Sequence, residues 1–291
     1  MGIAAQLLVN GLIAGGTYAL AAIGYSMVYG ALKFINFAHG SIAMVGAYIA
    51  FVLFSLGGIP IIPAFLLSMA LTALLGVLVE RLAYRPLRAS PKLASLTTSV
   101  AVSFALDASV MMLLGAEIRS FRLPMQRTFQ IGPVYLTLVQ TVIIACSFAF
   151  MFGLYFLLTF TKLGKSIRAI ADDLLLAEIS GINGNLVIAA VFAIGSALAA
   201  AAGVLIGMET NLQPTMGFMI TVKAFAAVVL GGLGNVYGAI LGGFIIGIVE
   251  NLGAWYISPV WKDSIAYVIL ILVLFVRPAG LLGKPEDATV V

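Results

Sequence analysis

Long apolar runs follow one another along almost the whole chain, and this feature restricts its fold more than any other. A helix needs roughly 20 apolar residues to cross the hydrocarbon core of a bilayer. Eight apolar runs are found, most of them near or above this length: Gln6 to Leu32, Ser41 to Leu56, Ile59 to Val79, Leu93 to Gly115, Val134 to Phe160, Leu186 to Met208, Met216 to Val249 and Ser264 to Val276. The pattern predicts a chain that crosses a membrane many times.

The share of charged residues excludes a soluble alternative. Only 9% of the residues are charged and 63% are hydrophobic, whereas ordinary soluble domains are roughly 25% charged. A soluble fold cannot bury so much apolar surface, so the excess must face lipid, where a helix satisfies its own backbone hydrogen bonds. We therefore predict an all-α, polytopic integral membrane bundle in contact with lipid. The net charge of +4 is spread over short loops, which suits orientation in a membrane and gives no sign of nucleic-acid binding.

The seventh run is too long for one crossing and is interrupted by Gly231-Gly232-Leu233-Gly234-Asn235. Broken or re-entrant helices are tolerated where they are buried in protein or line a water-filled cavity. We expect about eight to ten transmembrane segments, some of them broken or re-entrant. They form one domain over residues 1–291, with a cytoplasmic coupling loop at about 162–185 and a short tail at 278–291.

The distribution of basic residues orients the chain. Basic residues follow the third run (Arg81, Arg85, Arg88, Lys92), the fourth (Arg119, Arg122, Arg127) and the fifth (Lys162, Lys165, Arg168). Because two crossings separate the first and third groups, these two groups lie on the same side. The excess of Lys and Arg on cytoplasmic loops places that side inside.

Two glycine-containing stretches carry isolated polar groups near the ends of apolar runs. They are Asn36-Phe37-Ala38-His39-Gly40 and Gly231 to Gly238, the latter containing Asn235. Corresponding broken segments in the two halves of a transporter indicate its pathway. A loose likeness between Asn36 to Gly46 and Asn235 to Gly247 raises the hypothesis of an inverted internal repeat. Candidates for lining the pathway are Tyr25, Asn36, His39 and Asn235, and each of them also fits a purely structural role.

Asp107 lies in the middle of the fourth run. An ionised carboxylate in that position costs roughly 2.5–3.5 kcal/mol on insertion scales, so we expect it to face the interior of the bundle. A role in the pathway and a structural hydrogen bond both account for it. His39, the only histidine, is more typical of a hydrogen-bonded structural residue than of a proton carrier or metal ligand.

No enzymatic site can be assembled from these residues. One histidine and one cysteine, Cys146, provide neither a metal cluster nor a nucleophile with its base and orienting group. Gly164-Lys165-Ser166 is not a phosphate-binding loop, because the pattern requires glycine where Thr159 stands and should follow a strand. We predict a non-catalytic chain without a metal or a cofactor of its own, so that ATP with its magnesium, if it drives transport, binds to another subunit.

The connection between the fifth and sixth runs is predicted to form a short amphipathic helix. Its apolar residues recur near helical spacing, at Ile167, Ile170, Leu174, Ala177 and Ile182. Arg168, Asp172, Asp173 and Glu178 supply the polar positions, and Gly181 ends the helix. Such a surface helix suits a protein partner; contact with lipid headgroups is less favourable, because acidic residues are repelled by an anionic leaflet.

Several of these stretches resemble the permease subunits of branched-chain amino acid ABC importers, specifically the smaller of the two paired permeases, over nearly the whole chain. The resemblance is carried by Asn10-Gly11-Leu12, Gly15 to Tyr18, Gly24 to Gly30, Ile35 to Gly40, Glu80 to Arg88, the loop helix and Gly231 to Gly243. It implies a binding protein outside the membrane that delivers the solute, a pathway formed by two permeases, and two cytoplasmic ATPases that act through the loop helix.

The family's ATPase-docking motif falls on Gly164, Arg168, Ala169, Ala177, Gly181 and Ile182. Asp172, followed by Asp173, stands where relatives often carry an amide residue, and Asp107 stands where an uncharged polar residue is expected. The resemblance also implies a prokaryotic cell membrane, the inner membrane where there are two, and a second permease that is either a copy of this chain or, as the family favours, a different one.

Three alternatives remain open at the level of sequence. One alternative is the permease of a related importer for another solute, since relatives carry urea, short amides or aromatic amino acids. A stand-alone secondary amino acid transporter would use Asp107 or Glu209 to carry a coupling proton, although such proteins usually place several ionisable groups near the midplane. A passive channel or membrane scaffold gives no reason for the amphipathic loop helix.

Overall fold

A computed structural model of the chain describes residues 2–88, 90–121 and 128–283. The described part is a helical bundle, as the sequence predicts, with eight helical segments long and apolar enough to cross a membrane. The helices are α1 (Gly2–Leu32), α2 (Ala38–Phe51), α3 (Ile61–Val79), α4 (Lys92–Leu114), α5 (Leu138–Phe160), α6 (Lys162–Asp172), α7 (Leu174–Ile179), α8 (Gly184–Glu209), α9 (Met216–Gly231), α10 (Val236–Tyr256) and α11 (Lys262–Val276). A π-helical segment (Val52–Leu56) extends α2, and a second one (Glu80–Tyr84) followed by a 3₁₀ turn (Arg85–Leu87) extends α3.

A small β-hairpin marks one end of the bundle, which we call the hairpin end. Its strands β1 (Thr128–Ile131) and β2 (Val134–Thr137) pair antiparallel. The fifth apolar run therefore begins as a strand at Val134, and α5 begins only at Leu138, where Thr137 and Gln140 form a capping box. The start of α1 is tied to this end, because the Gln6 amide exchanges two hydrogen bonds with the backbone of Tyr135.

The opposite end carries α6 and α7, and we call it the loop-helix end. The last turn of α1 packs there, with Gly30 beside Ala171. Arg88 donates to Asn185 Oδ1 at 2.7 Å, which places the basic segment after α3 at the same end as α6, as the distribution of basic residues predicts. Arg119 lies at the hairpin end, bridged to Leu212. Arg122, Arg127 and tail residues 284–291 are outside the described residues.

Glycines bring α1 and α10 into backbone contact at the centre of the bundle. A Cβ built on Gly11 or Gly15 would lie 2.7 or 2.8 Å from the Cα atom of Ile248 or Phe244, respectively. A Cβ on Gly247 would in turn overlap the backbone of Gly15. The spacing of four between these glycines allows a close helix–helix approach that larger residues would prevent.

The seventh run is split as predicted. Helix α9 ends at Gly231, α10 begins at Val236, and Asn235 caps α10 by accepting from the amides of Tyr237 and Gly238. At 16 residues, α9 is only about 24 Å long and too short for a complete crossing.

The two helices that begin inside the bundle are α2 and α9, and they run to opposite ends. Helix α2 starts beside Ala21, about two thirds of the way along α1, and its end packs against Phe121 at the hairpin end. Helix α9 starts against the first turn of α2 and finishes at the loop-helix end, where Gly234 lies near Gly30. Helices α2 and α9 both begin inside the bundle, whereas α10, whose start the sequence likened to that of α2, begins at the loop-helix end. The inverted internal repeat stays a prediction.

Candidate functional site

The connection between α1 and α2 re-enters the bundle and is held by buried side chains. Asn36 is buried, and its Oδ1 accepts from the Ala38 amide at 3.1 Å and from the Tyr84 hydroxyl at 2.8 Å. Ser99 Oγ accepts from the Phe37 amide at 3.1 Å. An unpaired backbone group at this depth would cost several kcal/mol, so these bonds allow a non-helical segment inside the membrane.

His39 connects α2 to α1 in this arrangement. It is buried, its Nε2 lies 3.0 Å from the carbonyl oxygen of Ala21, and its ring stands edge-on to Tyr25 with centroids 5.6 Å apart. Its Nε2 thus carries the proton in that bond. The bond joins the first turn of α2 to the middle part of α1.

The first turns of α2 and α9 meet backbone to backbone, and we call this contact, formed by residues 37–41 and 217–221, the junction. A Cβ on Gly40 would overlap the Gly217 carbonyl oxygen, and a Cβ on Gly217 would lie 2.8 Å from the Ser41 backbone nitrogen. The Thr221 hydroxyl donates to the carbonyl oxygen of either Phe37 or Gly217, at 3.1 and 3.0 Å, and accepts from the Gly40 amide at 3.0 Å. Two helix N-termini, each with a partial positive charge, therefore converge deep in the bundle.

Helix α4 covers one side of the junction with a line of polar side chains at intervals of four residues, Ser95, Ser99, Ser103 and Asp107. Ser103 Oγ lies 2.7 Å from Ser41 Oγ, and the Asp107 carboxylate interacts with the same Ser41 side chain. Asp107 is half-buried, and its Oδ1 has no hydrogen-bond partner among the described residues. As expected, the carboxylate faces the bundle rather than lipid.

The structure brings together four of the five residues that the sequence nominated for the pathway. Tyr25, Asn36 and His39 surround the start of α2, and Asp107 reaches it through Ser41. Asn235 lies apart from them at the loop-helix end, where its Nδ2 donates to the carbonyl oxygen of Leu282 at 2.8 Å. Its contacts are those of a helix cap and of an anchor for the C-terminal segment.

The coupling loop consists of two helices rather than the single one predicted. Asp173 leaves the helical conformation and caps α7, with its carboxylate accepting from the Leu176 amide at 3.0 Å. Ile167, Ile170 and Ala177 are buried, and Ile182 packs against the same core, as the predicted apolar face requires. Gly181 adopts a left-handed φ of +86° immediately after α7, which explains why glycine is used there.

The predicted docking residues divide into an inner and an outer set. Gly164 lies against the end of α5, where a Cβ would overlap the backbone of Leu158, and Arg168 donates to the Leu158 carbonyl oxygen. Ala169 is partly buried beside the core, whereas Asp172 is exposed. Leu175, Leu176 and Ile179 of α7 are also exposed, and they form an apolar patch at this end.

A buried ion cluster escaped the sequence analysis. Lys223 of α9 donates to the Tyr18 hydroxyl at 2.9 Å, to Glu250 of α10 at 3.2 Å and to Asp263 of α11 at 2.8 Å. The Tyr18 hydroxyl donates to Glu250 at 2.8 Å. The sequence does contain a signal for this cluster, because the charged residue Lys223 interrupts the seventh run and Glu250 directly follows it. The apolar character of the rest of the run hides it.

A second buried ion pair lies at the loop-helix end. Glu80 is buried where the π-helical segment follows α3, and Arg88 contacts it. Both residues belong to the Glu80 to Arg88 stretch, whose basic residues look like ordinary loop charges in the sequence. Among the described residues, no group of three or more His, Cys, Asp or Glu side chains is placed to hold a metal ion.

Comparison with known proteins gives a consistent result. Residues 7–274 match the family model described as "Branched-chain amino acid transport system / permease component". The high-affinity branched-chain amino acid transport system permease protein BraD of Pseudomonas aeruginosa is 42% identical over 97% of this chain and 96% of its own length. The corresponding protein LivH of Escherichia coli K12 is 39% identical over 97% of this chain and 96% of its own length.

One solved structure shares the fold. It is described as PsaBC from Streptococcus pneumoniae in complex with Fab, and it superposes with a TM-score of 0.53, covering 94% of this chain and 93% of the matched chain at 12% identity. At that level of identity the likeness concerns the arrangement of helices alone.

Proposed function

Since the chain belongs to the family of permease components of branched-chain amino acid transport systems, we propose that it forms one half of the transmembrane pathway of an ATP-driven importer for these amino acids. The observation that carries the proposal is the match of residues 7–274 to that family, joined to relatives of nearly the same length. The chain itself is a multi-pass membrane protein with a transport role.

The partners in this proposal are a second permease, two cytoplasmic ATPases and a solute-binding protein outside the membrane. In this arrangement α6 and α7 face the cytoplasm, and the exposed apolar patch of Leu175, Leu176 and Ile179 is the surface that an ATPase covers. Removing apolar area from water is favourable by about 25 cal/mol of free energy for each Å², so an exposed apolar patch of this kind favours a protein partner. The membrane in question is the prokaryotic plasma membrane.

A movement of the loop helices has a direct structural route to the junction. Asn183 caps α8 directly after α7, so that a shift of α7 is passed to α8. Along α8, a Cβ on Gly195 would lie 3.1 Å from the Gly24 carbonyl oxygen of α1, beside His39, and a Cβ on Gly203 would overlap the Ala43 carbonyl oxygen of α2. Because α8 approaches both helices backbone to backbone, we expect a rigid displacement of α8 to move α1 and α2.

The test is reconstitution of the complete importer in liposomes, with leucine uptake measured after addition of ATP inside or outside. Uptake must require ATP and the binding protein, and it must persist when a protonophore collapses the proton gradient. Proton-coupled uptake without ATP would contradict the proposal and support the secondary transporter. Urea or amide uptake in place of leucine would correct the solute class alone.

Docking is tested with a pair of isoleucines of similar exposure at opposite ends of the bundle. Ile179 on α7 is 75% exposed and Ile257 after α10 is 70% exposed. We expect Ile179→Ser to reduce co-purification of the ATPase and uptake at least about tenfold, while Ile257→Ser leaves co-purification unchanged. Equal recovery of the ATPase with both variants would show that α7 is not the docking surface.

A further inference from the structure

A polar cavity opens at the hairpin end inside this one subunit, away from the junction. It lies among α1, α5, α8, α10 and α11 and has a volume of about 200 Å³. Pockets that hold drug-sized ligands measure roughly 300–1,000 Å³, so this space suits a smaller molecule. The side chains that determine its chemistry are Asn10, Ile143, Ile206, Glu209, Asn251 and Lys262.

Two opposite charges line the cavity: Glu209, whose side chain is exposed, and Lys262, which also interacts electrostatically with the Glu250 carboxylate. Glu209 accepts a hydrogen bond from the Gln140 amide at 3.0 Å, which is an uncharged donor. Within the described part of the chain, neither Glu209 nor Lys262 forms an ion pair within 4 Å. A carboxylate and an ammonium that share one cavity without pairing are complementary to a ligand that carries both charges.

The rest of the lining adds polar anchors and an apolar wall. Within the described residues, the Asn10 amide oxygen accepts one hydrogen bond from Gln6 and the Asn251 amide nitrogen donates one to the Gly247 carbonyl oxygen, which leaves the other amide atom of each side chain available to a ligand. Ile143 is fully buried and Ile206 half-buried, and they give the cavity an aliphatic side. A few convergent polar groups on an otherwise apolar wall are the usual composition of a small-molecule site.

From this geometry we infer that the cavity is a binding site for a zwitterionic α-amino acid with an aliphatic side chain. Glu209 receives the ammonium group, Lys262 receives the carboxylate, and the isoleucines contact the side chain. The inference rests on the proposed function for its choice of solute, and it adds to that function a site at the hairpin end of a single permease. Tyr18 also lines the cavity, and its hydroxyl belongs to the ion cluster around Lys223.

The chain contains its own reporter for such binding. Its two tryptophans are Trp255 and Trp261, and Trp261 directly precedes Lys262. In a Trp255→Phe background, with the full-length protein in lipid nanodiscs, a ligand at Lys262 is expected to change the Trp261 emission with a saturable dependence on concentration. The probes are L-leucine, leucinol, which lacks the carboxylate, and 4-methylpentanoate, which lacks the ammonium group.

We expect L-leucine to bind at least about tenfold more tightly than either analogue, as the loss of a charge-assisted contact implies. Glu209→Gln should weaken leucine binding about tenfold and abolish the preference for leucine over 4-methylpentanoate. Lys262→Gln should instead abolish the preference for leucine over leucinol. A variant that merely distorts the protein would not lose one of these two preferences while keeping the other. Glu117→Gln, at an exposed acidic residue outside the cavity lining, is the matched control and should leave all three affinities unchanged.

No saturable response to leucine, or equal affinities for leucine and both analogues, would overturn the inference. This failure is separable from failure of the proposed function, because ATP-driven uptake through the complete importer is measured independently. Intact uptake with no response in the nanodisc experiment would refute the cavity site and leave the importer in place.

Discussion

Removal of Lys223 should cost more stability than almost any other substitution at a charged residue of this chain. The Lys223 side chain is 11% exposed and that of Glu250 is 0% exposed, whereas Asp263 is 57% exposed. At the 3.2 Å between Lys223 Nζ and Glu250 Oε2, the Coulomb attraction is about 5 kcal/mol for an effective dielectric constant of about 20. Lys223→Met leaves the Glu250 carboxylate buried without its counter-ion, and breaking a buried pair on one side costs about 3–5 kcal/mol.

The double variant Lys223→Met/Glu250→Gln separates this explanation from simple loss of packing. It removes both charges, and Tyr18 can still donate to the glutamine carbonyl oxygen, so we expect it to recover at least about half of the stability lost in Lys223→Met. Asp263→Asn should cost less than about 1 kcal/mol, because its partly solvated contact is screened.

The measurement is the free energy of unfolding of the purified protein in bicelles, obtained by steric trapping, for the three variants and the natural chain. Equal destabilisation in the single and double variants would refute the reasoning, because it would mean that the uncompensated Glu250 charge contributes nothing. A loss for Asp263→Asn as large as that for Lys223→Met would refute the assignment of Glu250 as the principal partner.

Three further predictions concern the junction and the loop. Gly217→Val should cost about 1–3 kcal/mol through overpacking and abolish uptake in the liposome assay, while Gly153→Val, which meets open space, should leave uptake near normal. Asp107→Leu should impair uptake at normal expression while Asp107→Asn retains more of it, and unchanged uptake in the leucine variant would leave a structural role only. Gly181→Val imposes a left-handed φ of +86° on a β-branched residue, and Arg168→Glu replaces a hydrogen-bond donor to an α5 carbonyl oxygen by an acceptor. Both variants should uncouple ATP hydrolysis from uptake when the two rates are measured on the same liposomes. Full coupling in both variants would contradict a role of the loop in transmission.

The membrane-spanning pattern could be predicted because it depends on local composition. Adjacent glycines and Asn235 indicate the break between α9 and α10. The spacing of Gly11, Gly15, Gly243 and Gly247 indicates the close approach of α1 and α10. The β-hairpin could not be predicted because β2 forms the first four residues of the fifth apolar run and β1 is only four residues long. Period and length alone did not separate β2 from the helix that follows it.

The parts that could not be predicted depend on which segments meet in three dimensions. Asn36 and Asn235 look equivalent as isolated amides near apolar runs, yet one supports a re-entrant segment and the other caps a helix at the end of the bundle. The partner of Gly40 is Gly217, which stands in a stretch without a distinctive motif. Asp173 was read as a polar position of one helix, but its side chain satisfies the backbone of the next helix better than it continues the first.

The ion cluster also has a consequence for how the chain is made. As α9 leaves the ribosome it offers the insertion machinery a 16-residue segment with a lysine near its centre, and a central lysine alone disfavours partition into lipid by about 2.5–3.5 kcal/mol. Its counter-ion is Glu250, 27 residues later, so the charge is neutralised only after α10 has been synthesised. Synthesis of α10 therefore supplies the group that stabilises α9 in the bilayer, and we expect the two helices to integrate as a pair rather than one after the other.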